Sequence, residues 1–183
     1  MESTCQQHNK KANSTLSFIR RNISSCSQNV KASAYKTYVR PTIEYASTVW
    51  SPHTVFLVNQ VEMVQRRAAR FVMQDFRRTS SVTDMLLELG WNSLQTRRNQ
   101  SRLSMFYKIV HGLVDVTPVP PLRNSRSSRC NDQQYTQIST SKASYRHSFF
   151  PVAITLWNKL LQSAISQTTL EGFQAAVAGL NSL

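Results

Sequence analysis

The sequence predicts a mostly α-helical protein. It should form an irregular bundle of about six to eight helices, with a Pro/Ser/Arg-rich loop and room for a short strand near 135–140. Three observations carry this. Apolar residues recur at helical spacing almost everywhere up to residue 113. Hydroxyl residues and glycines stand where helices start and stop. No internal repeat and no long heptad run points to a solenoid or coiled coil.

The elements follow in order. A helix over 9–23 carries Leu16, Ile19 and Ile23 on one face, with Arg20 and Arg21 beside it. A second over 28–39 carries Ala32, Tyr35 and Val39. Pro41 lacks a backbone donor and restricts its predecessor, so it can only open a new helix, a short one over 42–50. Ser51 and Pro52 break the chain again.

Thr54 can cap a long helix running to about 73, on which Leu57, Val61, Val64, Ala68 and Phe71 form one apolar stripe. At ~100° per residue, Arg66, Arg67 and Arg70 fall on its far side, and Glu62 stands four residues before Arg66. Ser81 can cap the next helix, which Gly90 ends. Ser93 can cap another ending at Gly112, whose second half (Leu103, Met105, Phe106, Ile109, Val110) is apolar over a wide arc and should be central.

Pro118, Pro120 and Pro121, followed by residues 124–129, mark a loop or linker, and the β-prone residues 135–140 alternate weakly. Phe149 and Phe150 open a helix bearing Ile154, Leu156, Trp157, Leu160 and Leu161. Thr169 can cap a last one with Phe173, Ala176 and Val177. Three segments result: a helical region 1–113, a basic linker 114–147 and a C-terminal helical pair 148–183.

The net charge of the 183 residues is +13, unevenly spread: +6 over 1–40, −2 over 41–65, +5 over 66–102, +4 over 103–147 and 0 over 148–183. A basic N-terminal two-thirds ahead of a neutral tail favours a polyanionic partner. No apolar run approaches the ~18 residues of a membrane span, so no membrane partner is expected. The first residues are polar and lack a secretory signal. Three widely spaced cysteines (Cys5, Cys26, Cys130) argue for a reducing compartment, so the expectation is an intracellular protein of nucleus or cytoplasm.

Enzymatic chemistry has little to stand on. The four glycines (90, 112, 172, 179) form no phosphate loop, and no nucleophile elbow is present. Cys5 and His8 have ligand-like spacing that Cys26 could join, but the second ligand pair of a zinc site is missing, so no metal site is assigned. The nine acidic residues include no adjacent pair to hold Mg²⁺ for phosphoryl chemistry.

The arginines carry what remains. Arg66, Arg67 and Arg70, then Arg77 and Arg78, run from the polar face of the long helix into the next turn. A guanidinium fork matches phosphate oxygens, so this ridge can hold a sugar–phosphate backbone; a solvated face balanced by Glu62 and Asp75 is the alternative. Arg97 faces outward and joins the set. Arg98 and Arg102 share a side with Met105 and Ile109, and a buried arginine needs a partner, so ion pairs with Asp84 and Glu88 are expected. Trp50, Trp91 and Trp157 sit among Leu and Val and read as core rather than as base-stacking platforms.

The string itself resembles a family. It contains KKANSTLSFIRRNI from residue 10, VKASAYKTYVRPTIEYASTVW over 30–50 and SPH over 51–53. VEMVQRRAARFV follows over 61–72, RRTSSVTDMLLELGWNSLQTRR over 77–98 and RLSMFYKIVHGLV over 102–114. YRHSFFPVAITLWNKL covers 145–160 and TLEGF 169–173. This combination, in this order, resembles the C-terminal thumb and post-thumb end of the reverse transcriptase of jockey-like, LINE-type non-LTR retrotransposons; residues 1–8 do not match. The resemblance implies a fragment of an RNA-directed DNA polymerase without catalysis of its own. In that family the catalytic aspartates, including a Tyr/Phe-x-Asp-Asp box, lie in a preceding palm, as would the Mg²⁺, and this sequence has no Asp-Asp. The N-terminal endonuclease also has no counterpart. The implied partners are RNA or an RNA–DNA hybrid, gripped by Arg66, Arg67 and Arg70 by position, and the palm and fingers of the parent enzyme. The alternative is a helical protein-interaction module, or an inert degenerate fragment that packs on the palm.

Overall fold

The computed structural model describes residues 2–116, 121–122 and 132–179. It is mostly helical, an irregular helical bundle, with no strand among the described residues. The chain divides into units Met1–Gln95 and Thr96–Leu183, a boundary inside a helix and not at 113/114.

The first unit opens with α1 (Glu2–Asn22), which begins seven residues earlier than its apolar stripe predicts. Cys5 is the reason: it is buried in the core with Ala12, Leu16 and Ile19, and so extends the stripe by two turns. α2 (Gln28–Ala34) passes through a π-helical turn (Tyr35–Val39) into α3 (Arg40–Glu44), which carries Pro41 in its first turn. The expected helix over 42–50 is broken: Ala46 takes a left-handed conformation (φ 50°) between α3 and α4 (Ser47–Trp50).

α5 spans Val55–Met73, with the Thr54 hydroxyl accepting from the Leu57 amide at 3.5 Å. The predicted stripe is its buried face, and α1 packs along it. α6 (Val82–Glu88) is capped by Ser81, whose hydroxyl accepts from the Asp84 amide at 3.3 Å. It ends at Gly90 (φ +62°), where the Trp91 amide returns to the Leu86 carbonyl at 2.8 Å.

α7 (Leu94–Val110) closes the same way at Gly112 (φ +66°). Its second half belongs to the second unit's core: Leu103, Phe106 and Tyr107 cluster with Trp157 and Phe173. Three more helices surround them: α9 (Phe149–Trp157), α10 (Gln162–Ile165) and α11 (Leu170–Ala178), the last capped by Thr169. A single turn, α8 (Ala143–Arg146), precedes them.

The strand expected near 135–140 does not form. Tyr135 makes one antiparallel bridge with Leu122, and its other edge is taken by a side chain. The Tyr135 amide donates to Asn158 Oδ1, and Asn158 Nδ2 donates to the Tyr135 carbonyl, both at 2.9 Å. The asparagine amide thus replaces a neighbouring strand and ends the ladder after one residue. The linker signals at Pro118, Pro120 and 124–129, and Cys130, lie outside the described residues.

Candidate nucleic-acid interface

The exposed side of α5 and the loop after it place five of the predicted arginines in the first unit. Arg66 and Arg78 are exposed and make no hydrogen bond or ion pair among the described residues. Arg67 is exposed and reaches α1, where its Nη1 donates to Asn13 Oδ1 at 2.7 Å.

Arg70 differs from the expected ridge residue. It is half-buried, and its guanidinium donates to the carbonyls of Asp75 (3.4 Å), Arg77 (2.8 Å) and Ser80 (3.4 Å). It therefore shapes the loop that follows α5. Gln74 ends the helix in a left-handed conformation (φ 55°), which turns the chain back within that arginine's reach. Arg77 pairs with Asp75 at 2.9 Å, and the same carboxylate accepts from the Ser80 hydroxyl at 2.6 Å. The Arg77 side chain first, then the Ser80 hydroxyl and the Arg77 amide, hold the Asp75 carboxyl well below the usual carboxylate range.

Glu62 does not serve as the balancing partner of Arg66. Its carboxylate accepts from the amides of Gln95 (2.7 Å) and Leu94 (3.2 Å), the first residues of α7. An acidic side chain at a helix N-terminus satisfies amides that lack intrahelical partners and meets the positive end of the dipole. The outer face of α5 consequently keeps its positive charge.

α1 adds cations that the sequence does not tie to the arginine ridge. Lys10, Arg20 and Arg21 are exposed, and the Arg20 guanidinium lies 5.4 Å from the centre of the half-exposed Phe76 ring. On the helix wheel Arg20 lies beside Asn13, while Lys10 and Arg21 lie further round toward the side opposite the buried stripe. Lys31 was also missed. It is buried, with Nζ 5.4 Å from the Phe71 ring centre, and its place four residues before Tyr35 put it on the buried stripe of α2.

The remaining predicted residues divide by unit. Asp84 and Glu88 are exposed on α6 in the first unit. Arg97 is half-buried, and Arg98 and Arg102 are buried, at the start of the second. The wheel's burial of Arg98 and Arg102 is thus met, and Asp84 and Glu88 are exposed. Burial first, and the charge of Arg98 second, push the Arg102 guanidinium below its ordinary value. Its Nε is buried without a hydrogen-bond partner. Replacing Arg102 by Met should leave the denaturation midpoint unchanged or raise it, since an apolar side chain of similar volume removes a desolvated charge. A lowered midpoint would show that the guanidinium holds a partner whose loss outweighs that relief.

The three tryptophans are buried. Trp50 stacks on His8 at 4.8 Å, and His8 Nδ1 lies 2.9 Å from the Thr42 carbonyl oxygen. Cys5 is buried and Cys26 half-buried. Among the described residues no helix is long and apolar enough to cross a membrane. No family model, curated protein or solved structure matches the chain.

Proposed function

We propose that this chain is a non-catalytic relative of the thumb and post-thumb region of a non-LTR retrotransposon reverse transcriptase, and that its first unit holds the backbone of RNA or an RNA–DNA hybrid. The observation that carries this reading is the exposed cationic face of α5 and its following loop, where Arg66, Arg67 and Arg78 point to solvent. Arg70 and Arg77 brace the loop that presents Arg78. Glu62, the acid closest in sequence to Arg66, is turned to α7 instead. Such a face contacts phosphates and so positions nucleic acid without reading its bases.

The logarithm of the affinity for an RNA–DNA hybrid or single-stranded RNA should therefore fall linearly as log salt rises. Three phosphate contacts give a slope of about 2–3. Filter binding across a salt series checks this, and affinity indifferent to salt would refute it. Primer extension with Mg²⁺ or Mn²⁺ should be nil, because the nine acidic residues include no adjacent pair. Chelator-sensitive incorporation of nucleotides by the purified chain would contradict that half.

A second reading, a protein-interaction module, is favoured by one observation. Tyr45, Val49, Val55 and Phe56 are each 67–76% exposed within a stretch lacking Lys and Arg. An apolar surface free of cations suits a protein such as a polymerase palm better than a polyanion.

A further inference from the structure

The loop between α5 and α6 combines a hydroxyl nucleophile with two arginines just ahead of it in sequence. Arg77 and Arg78 stand three and two residues ahead of Ser80. Ser/Thr protein kinases with acidic substrate grooves select on such charge patterns. From this juxtaposition we infer that Ser80 is a phosphorylation site for a basic-directed protein kinase, and that its phosphate switches off the neighbouring cationic face. The second half rests on the nucleic-acid reading above; the first does not.

The geometry singles out Ser80 among the hydroxyls of the loop. Ser81 is committed to capping α6. Among the described residues the Asp75 carboxylate accepts from Arg77 and Ser80 but not from Thr79, so only a phosphate on Ser80 would displace it from Arg77. Ser80 is half-buried and lines a cleft of about 710 Å³ together with Asp75, Arg77, Asp84 and Glu88. Only a few bonds hold it: its hydroxyl donates to Asp75 at 2.6 Å, its carbonyl accepts from Arg70 at 3.4 Å, and its amide donates to the Arg77 carbonyl at 3.4 Å. A short loop held by a few bonds can open locally and enter a kinase groove while the helices stay folded.

The co-reactant is ATP. The Ser80 oxygen bonds to the γ-phosphorus, the bond from that phosphorus to the β,γ-bridging oxygen breaks, ADP departs, and the hydroxyl proton goes to the kinase's base. The product carries about −1.5 to −2 charges at neutral pH. It stands where Asp75 now accepts the Ser80 proton, so the two anions repel and Asp75 yields its hold on Arg77. The phosphate then draws on Arg70, Arg77 and Arg78, forming the charge-assisted bonds those forks favour. Of these, Arg78 is the one otherwise free, among the described residues, to meet nucleic acid, and its withdrawal should lower the salt slope by about 0.7–0.9 and weaken binding on the order of 5–8-fold at ~0.1 M salt.

The test incubates the full chain with the catalytic domain of a basic-directed kinase and Mg-ATP, then maps the phosphate by mass spectrometry. One phosphoryl group on Ser80 is expected, retained in Ser81→Ala and Ser80→Thr, lost in Ser80→Ala and reduced in Arg77→Gln and Arg78→Gln. Phosphate elsewhere, or none, overturns the site. RNA binding of the phosphorylated and untreated chains is then compared across salt. Equal slopes overturn the switch. An untreated chain that binds no RNA refutes both the nucleic-acid reading and the switch, while the mapped phosphate decides the site alone.

Discussion

Replacing Trp157 by Ala should cost the second unit about 3–5 kcal/mol, as truncation of a large buried aromatic side chain does. Trp157 is fully buried and joins elements distant in sequence. Its ring stacks on Phe173 of α11 at 5.6 Å and meets Phe106 of α7 edge-on at 5.2 Å. Its Nε1 also donates to the Gln133 carbonyl at 2.9 Å. The Ala variant therefore loses packing on two helices and leaves that carbonyl unpaired. Trp157→Phe should cost less, because only the hydrogen bond and part of the volume are lost. Urea denaturation followed by far-UV circular dichroism gives both values. A midpoint unmoved in Trp157→Ala would mean that the cluster is not the unit's core.

The second large effect is expected at Glu62. Its carboxylate is the acceptor for the Leu94 and Gln95 amides, so Glu62→Ala strands two donors at the start of α7. Two charge-assisted bonds together are worth about 3–6 kcal/mol. Amide exchange at Leu94 and Gln95 should rise with the loss of stability. Arg66→Gln, by contrast, should leave stability unchanged. If Arg66→Gln destabilised the chain as much as Glu62→Ala, the pair along α5 would be the real interaction.

These two residues show where the sequence was legible and where it was not. The apolar stripe and Thr54 fixed α5 at Val55–Met73, and Ser81, Gly90, Gly112 and Thr169 marked helix ends correctly. Such signals are local: a cap or a stripe acts within a few residues of itself. The failures are contacts between residues far apart in sequence. Periodicity gave Glu62 a neighbour four residues on, whereas the fold gave it the amides 32 and 33 residues on. It left room for a short strand over 135–140, but the Asn158 amide occupies the edge a second strand would need.

The candidate site divides in the same way. A helix wheel is enough to place Arg66, Arg67 and Arg70 on the outer side of α5. It cannot say that Arg70 spends its donors on three loop carbonyls, that Arg77 is held by Asp75, or that Arg67 reaches Asn13. Those engagements depend on Gln74 turning the chain and on α1 lying alongside. Lys31 escaped notice because a lysine on a buried stripe is rare, and here the Phe71 ring faces its ammonium group.

The most direct test uses Arg66 and Arg78, predicted arginines that make no hydrogen bond or ion pair among the described residues. The slope of log affinity against log salt should be measured for an RNA–DNA hybrid with the unaltered chain and with the Arg66→Gln/Arg78→Gln variant. The expected slope is smaller by about 1.4–1.8 in the double variant, the same for every sequence tested, with the denaturation midpoint unchanged. An unchanged slope and affinity would contradict it, leaving the arginine face as solvated surface.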